Sequence, residues 1–382
     1  MKNFYIGLDL GHREIKLSTL EETNSGDLVV YNSSIKNEAF YKSEIIDQNL
    51  FIATLENLFA PLLDTLQIKR IDKIILTLNL PNFQYAIQKG HIIFENNVKK
   101  EDVERVIRTA KNFVLYSNQE IILEEPLKFY IDGLQETRDP IGFYGKRLDA
   151  EVLFVLCNQA FVKKLREIFK SLNIEVLNLF PSTYVSAKYF LSKKDKEIGT
   201  CVFEVGHSTT FIGIFNEGRL YYVKSFDWGA KNIFEDLCIH LKVDMEEIEI
   251  IKEEIFKKED QKSKKTSKKK SIGKFIEKKL KEYFEEMKLK EIMKDIKKQY
   301  KLPGGLVLFG SFLYNLRLEN FLKNYFEMQV KFPKDELKLF DSEEDLLKFS
   351  ASTGAALLLR EKGNEESFWD KIKNIFTNFF GR

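Results

Sequence analysis

Phe4–Leu20 reads FYIGLDLGHREIKLSTL, and Thr200–Phe215 reads TCVFEVGHSTTFIGIF. Each is an apolar run, a short polar turn and a second apolar run, the pattern of a β-hairpin. In the first, Phe4–Leu10 and Ile15–Leu20 flank a turn at Gly11–Glu14. In the second, Thr200–Val205 and Thr210–Phe215 flank Gly206–Thr209. An Asn-Glu-Gly turn, Asn216–Gly218, then leads into Arg219–Val223 and makes the second hairpin a meander. Two halves that open alike predict a duplicated α/β architecture with a cleft between the halves.

Working outward, Leu50–Leu66 has helical periodicity and Lys73–Leu78 (KIILTL) reads as a buried strand. Tyr85–Phe94 reads as a strand that leads into a helix over Val98–Phe113, with acidic residues in its first turn. Strand patterns follow at Glu120–Leu123 and Leu148–Cys157, then an amphipathic helix over Gln159–Leu172. Lys257–Lys270 (KKEDQKSKKTSKKK) lacks apolar residues and reads as a disordered loop between helices. Such a loop can also touch anionic lipid or an acidic partner.

The chain has 382 residues, room for two or more cores. Its formal net charge of +2 gives no reason to expect nucleic acid as a partner. The three cysteines form no CxxC pair and the four histidines are dispersed, which argues for a reducing compartment and against a structural metal. The strand pattern at Asn3–Leu10 leaves no room for a signal peptide, and no apolar run reaches membrane-spanning length. The expected product is cytosolic with a membrane-seeking tail.

That tail is SFWDKIKNIFTNFFGR, Ser367–Arg382. At about 100° per residue, Phe368, Trp369, Ile372, Ile375, Phe376, Phe379 and Phe380 fall within roughly 140° of a helical wheel. Lys371 and Lys373 border this stripe, where their ammonium groups reach lipid phosphates while their stems stay in the apolar layer. The pattern fits a helix lying in the membrane interface, joined through a polar tether at 361–366. A terminal helix packed on a protein core has the same periodicity.

Two facing hairpins can grip a phosphate chain if each first strand ends in a carboxylate that holds hydrated Mg²⁺. Small turn residues then let backbone N–H groups approach the phosphates. The first hairpin offers Asp9, Gly11, His12 and Lys16; the second offers Glu204, Gly206, Ser208, Thr209 and Thr210. Glu249 and Lys252 share a helix face and can contact a ribose and base, or form an ordinary surface ion pair. Pro303–Ser311 (PGGLVLFGS) reads as a buried strand whose end, Gly310 and Ser311, leaves room for an adenosine ring.

These pieces, in this order, resemble the actin-like ATPase superfamily, and the rest of the chain resembles its FtsA family of bacterial cell-division proteins. DPIGFYGKRL (Asp139–Leu148) followed by DAEVLFVL is similar to a segment of that family's inserted subdomain, and VKKEDVERVIRTA (Val98–Ala110) to the insert's helix. NLFPSTYVSA (Asn178–Ala187) and FSASTGA (Phe349–Ala355) resemble the family's two connecting segments. The resemblance implies duplicated actin-like halves, 1–84 with 171–196 and 197–228 with 300–360. It implies an insert at 85–170, a smaller subdomain at 229–299, and a C-terminal amphipathic helix at 367–382. It further implies ATP and Mg²⁺ in the cleft, with Asp9 and Glu204 acting through water, and at most weak ATPase activity with no general base assigned. The implied partners are the C-terminal peptide of FtsZ, further copies of the chain, and lipid, at the cytoplasmic face of the membrane at the division site.

The chain departs from the family's pattern at three places. EVGHSTT (Glu204–Thr210) stands where Asp-x-Gly-Gly-Gly-Thr-Thr is usual, so that His207 and Ser208 replace glycines. Gly310, Ser311 and Phe312 stand where three glycines are usual, which places bulk beside the expected base. His12 and Arg13 stand where small hydroxyl residues are usual. Two other classes share the cleft: a PilM-type adaptor of a pilus or secretion assembly, and a sugar kinase. The terminal helix and the DPIGFYG segment speak against the first, and the absence of a sugar-binding constellation against the second.

Overall fold

The computed structural model describes residues 3–23, 28–114, 118–256, 267–316 and 318–380; side chains at 29–30, 252–256, 267–270 and 364–380 fall outside that description. Two compact units emerge: Met1–Leu78 with Phe161–Tyr189 and Asp335–Arg382, and Asn79–Ala160 with Phe190–Lys334.

The first unit is built on a five-stranded sheet in the order Glu175–Pro181, Lys73–Leu78, Phe4–Leu10, Glu14–Glu22, Leu28–Lys36. The first three strands are parallel and the last three form an antiparallel meander. Parallel strands buried on both faces read as continuous apolar runs, as KIILTL does. Helix Glu343–Phe380 packs across Phe4–Leu10, Glu14–Glu22 and Lys73–Leu78. Gly7 allows this approach: a Cβ there would lie 2.1 Å from the Ser352 carbonyl oxygen and 2.4 Å from the Ala356 nitrogen. Ser18 sits beneath the helix, 2.7 Å from Ser352 Oγ, and accepts from Thr353 Oγ1 at 2.9 Å, so the buried hydroxyls satisfy one another.

The second unit carries a sheet of the same plan in the order Arg219–Phe226, Thr210–Asn216, Thr200–Val205, Leu306–Phe309, Val330–Lys331. Again an antiparallel meander is continued by parallel strands beside its first strand. Glu217 and Gly218 both have positive φ, the geometry of a two-residue hairpin loop. Helices Ala230–Leu241, Met245–Phe256, Ser267–Glu286 and Leu289–Gln299 follow the meander, and Phe203, Trp228, Phe234, Phe284 and Phe326 fill the shared core.

The same unit holds a separate four-stranded antiparallel sheet, Gln84–Ile93, Arg147–Asn158, Gln119–Ile131, Gln135–Thr137, covered by helix Lys100–Lys111. Val98, Val106, Ala110, Leu148, Val152 and Phe154 form its own core. Gly90 lets the helix approach, since a Cβ there would meet the Val106 carbonyl oxygen at 2.3 Å. The Asp139–Leu148 segment closes over the helix start: the Val98 N–H donates to the Phe143 carbonyl and the Gly142 N–H to the Val98 carbonyl, both at 2.9 Å.

Four expectations differ. The strand expected at Glu120–Leu123 runs over Gln119–Ile131, because a shift of register opposite Pro126 accommodates a residue without an N–H. Residues 335–360 group with the first unit rather than with 197–228, because the Gly7 contact seats their helix on the first sheet. The stretch read as a tether, 361–366, lies within the helix Glu343–Phe380, and 267–270 lie within Ser267–Glu286. Residues 257–266 of the lysine-rich stretch lie outside the described residues.

Candidate functional site

Asp9 ends the central strand of the first sheet, in register with Lys16 across the hairpin and beside Thr77 on the parallel neighbour. Its Oδ1 accepts from Thr77 Oγ1 at 3.1 Å and Ser182 Oγ at 2.6 Å; its Oδ2 accepts from Lys16 Nζ at 3.1 Å. Ser182 follows the third parallel strand, so the carboxyl ends of three adjacent strands converge on one carboxylate. That is where open α/β sheets place ligands. A carboxylate has about four acceptor positions. Three are taken here, which holds Asp9 rigid and leaves it able to accept from one further donor, such as a metal-bound water.

The turn after Asp9 is clamped by buried Asn37. Its Nδ2 donates to the carbonyls of Gly11, His12 and Phe40 at 3.2, 3.3 and 2.9 Å, and its Oδ1 accepts from the N–H groups of Ala39 and Phe40. A Cβ at Gly11 would lie 2.5 Å from the Glu14 carbonyl oxygen, so the turn needs glycine. The His12 ring is buried against Phe40 and Tyr41, with centroids 5.9 and 5.8 Å away. It is an aromatic anchor of the turn rather than an added bulk at its mouth.

In the second unit, Glu204 lies in register with Phe309 of the parallel strand, and its Oε2 accepts from Asn79 Nδ2 at 3.3 Å. Gly310 follows with φ +79°, and a Cβ there would lie 3.1 Å from Glu204 Cγ and 3.2 Å from Oε1. The missing Cβ leaves the Glu204 carboxylate uncrowded on that side, and carboxylate oxygens are the ligand type that holds hydrated Mg²⁺. The turn 206–209 is closed by the Gly206 N–H on the Thr209 carbonyl, and the Ala230 and Lys231 N–H groups cap the Gly206 and His207 carbonyls. Gly229 is required there, since a Cβ would meet His207 backbone atoms at 2.6 Å.

Ser208, Thr209 and Thr210 are buried, and the Thr210 hydroxyl donates to the Trp228 carbonyl at 3.0 Å. This donation points it into the fold. Phe312 turns into the core, edge-on to Phe234 at 5.7 Å, so its bulk does not stand beside the strand end as expected from sequence. Ser311 opens helix Ser311–Leu316, which packs against the helix Met245–Phe256 that carries Glu249. The Lys252 side chain lies outside the described residues, as do those of Phe368, Trp369, Lys371, Ile372, Lys373, Ile375, Phe376, Phe379 and Phe380.

Thr77, Ser182, Asn37 and Asn79 were missed from sequence. Ser182 stands in the quoted connecting segment and was the one with a signal; the others are single polar residues in or after ordinary apolar runs.

Residues 85–156 match the family model of the SHS2 domain inserted in FtsA. The chain resembles FtsA. It is 24% identical over 259 residues to the cell division protein FtsA of Bacillus subtilis (strain 168), covering 66% of this chain and 58% of that protein. It is 26% identical over 160 residues to FtsA of Pseudomonas aeruginosa, covering 42% and 38%. It is 24% identical over 296 residues to FtsA of Borreliella burgdorferi, covering 73% and 70%. The chain thus spans less than two thirds of the length of the first two relatives.

Among solved structures, a chain of the PilM–PilN type IV pilus biogenesis complex superposes with a TM-score of 0.66 at 15% identity, covering 93% of this chain and 98% of that one. MreB 5 of Spiroplasma citri bound to AMPPNP gives 0.51 at 10% identity, covering 97% and 98%. At these identities the likeness is one of fold. The fold is that of the actin-like ATPases, with an FtsA-type SHS2 domain inserted.

Proposed function

We propose that this chain is a cell-division protein that anchors FtsZ filaments to the cytoplasmic face of the membrane at the division site. The observation that carries the reading is the SHS2 domain at 85–156 within an actin-like fold, since that insert is described for FtsA. In this reading the chain binds the C-terminal peptide of FtsZ, assembles with its own copies into filaments, and holds lipid through the terminal segment. The apolar periodicity of residues 367–380, which lie on a helical backbone, supports the last point. One such helix binds lipid weakly; a polymer of many gains affinity through effective concentration.

ATP with Mg²⁺ belongs to the same proposal. The rigid carboxylate of Asp9 and the uncrowded carboxylate of Glu204 beside Gly310 support it. Bound nucleotide would favour the assembling conformation by binding it more tightly. The chain is then a nucleotide-dependent scaffold with weak ATPase activity at most.

The test is co-sedimentation with liposomes in the presence of FtsZ, comparing the full chain with one ending at Glu366. FtsZ should pellet only with the full chain, and Phe376→Asp should release a folded protein from lipid. If the full chain ignores both lipid and FtsZ, the anchoring role is lost and the fold serves another assembly.

A further inference from the structure

Asp9 and Glu204 stand near the ends of the first strands of the two hairpins, and they are held in different ways. Asp9 has the shorter side chain and accepts from three side chains, one of them the Lys16 ammonium. Glu204 is longer by one methylene, so one more torsion must be fixed before its carboxylate points in a single direction. Alternation along Thr200–Val205 turns it away from Phe203 and Val205, which are buried in the core, and leaves it half-buried.

Asn79 supplies a restraint at that extra length. It opens the second unit and stands in sequence between Leu78 and Leu80, which are 0% and 2% exposed, so its backbone is anchored on both sides. Its Nδ2 donates to Glu204 Oε2 at 3.3 Å across 125 residues of sequence. An ionised carboxylate only accepts hydrogen bonds, so the amide nitrogen is the atom that faces it. Being neutral, the amide directs the carboxylate without cancelling its charge. Gly310 stands against the same side chain, since a Cβ there would lie 3.1 Å from Glu204 Cγ and 3.2 Å from Oε1. The glycine gives the added methylene room, and the amide orients what lies beyond it.

Mg²⁺ demands a near-ideal octahedral set of oxygens, which favours a carboxylate already held in place. We propose that Asn79 is the positioning residue of the second carboxylate: it orients Glu204 toward the Mg²⁺ of a bound nucleotide and touches neither metal nor nucleotide itself. This role rests on the reading above that ATP and Mg²⁺ bind the chain.

The experiment uses the full chain, Asn79→Ala, Asn79→Leu, Glu204→Ala and the double variant Asn79→Ala with Glu204→Ala. The melting temperature of each is followed as MgCl₂ is titrated against a fixed concentration of ATP, and shifts are read against each protein's own melt without nucleotide. Both Asn79 variants should need about tenfold more magnesium for half of the shift and still reach the full shift at saturation, the loss of one long hydrogen bond to a charged group. Leucine keeps the approximate shape of asparagine, so it does not share a packing defect left by alanine. Glu204→Ala should raise the requirement by at least as much, and adding Asn79→Ala to it should change nothing, because Asn79 acts only through Glu204. A magnesium-dependent shift in the parent with the same half-point in both Asn79 variants, or effects of Asn79→Ala and Glu204→Ala that add, overturns the role of Asn79 alone. No magnesium-dependent shift in the parent overturns it together with the nucleotide reading.

Discussion

Gly7→Ala tests the contact on which the first unit depends. The added Cβ would lie 2.1 Å from the Ser352 carbonyl oxygen, 2.4 Å from the Ala356 nitrogen and 2.7 Å from Ala355 Cβ. Ordinary non-bonded separations are about 3.5–4.0 Å, so the helix must withdraw by roughly 1.5 Å. Two of the three atoms are helix backbone and cannot turn aside, which puts the overpacking cost near the upper end of its range, about 3 kcal/mol. The same withdrawal would stretch the Ser18–Ser352 and Ser18–Thr353 hydrogen bonds, now 2.7 and 2.9 Å, beyond bonding distance. Each buried bond lost adds about 1 kcal/mol.

The sum is about 5 kcal/mol, and at about 2–4 °C per kcal/mol for a domain of this size it lowers the melting temperature by roughly 10–20 °C. Scanning calorimetry and urea unfolding would read it. Gly273→Ala is the control, since a Cβ there meets nothing within 4 Å. In helix Ser267–Glu286 it should stabilise by about 0.5–1 kcal/mol. A Gly7→Ala melt within about 2 °C of the parent would refute the reasoning, because the helix would then not be seated as closely as described.

Asn37→Ala should cost about 2–4 kcal/mol in urea unfolding, because it leaves two buried N–H groups without their acceptor and frees the Gly11–Arg13 turn. Mg·ATP should raise the melting temperature of the parent but not of Asp9→Asn, whose amide would face the Lys16 ammonium in place of a carboxylate oxygen; equal ATP shifts in both would remove Asp9 from the proposed site. Gly310→Ala should abolish the same shift, since it strains a φ of +79° and fills the space over Glu204. Cys201 is fully buried, which pushes its thiol up to about 12, and Cys157 is buried as well, whereas Cys238 is partly exposed. A thiol reagent at mild pH should therefore modify Cys238 first and the other two only on unfolding, as peptide mapping would show; early labelling of Cys201 would contradict the burial.

The hairpins, the meander and the helices at Gln48–Leu66, Lys100–Lys111 and Gln159–Ser171 were legible because their signals are local. Alternation and apolar runs over 4 to 8 residues follow from how side chains leave a strand, whatever surrounds it. Both sheet openings, Phe4–Leu10 with Glu14–Glu22 and Thr200–Val205 with Thr210–Asn216, stand where the pattern puts them, and so does the insert's helix. Asp9 and Glu204 were legible for the same reason, since each is the polar residue that interrupts an apolar strand near its end.

The partners of those carboxylates were not. Thr77 and Ser182 lie 68 and 173 residues from Asp9, and only the parallel register of three strands brings them together. The direction of a side chain at a turn is equally a matter of packing: His12 reads as a turn residue and is an aromatic anchor, and Phe312 reads as an obstruction and is core. Residues 335–360 likewise joined the first unit by packing across three of its strands, with the closest approach at Gly7, where a missing side chain leaves no hydrophobic signal. Sequence by itself determined the paired hairpins, the insert's helix and the carboxylates near the ends of their strands, because those properties depend on neighbours along the chain. Tertiary structure alone decided what each carboxylate is bonded to and which polar residues are spent inside the fold, because those depend on neighbours in space.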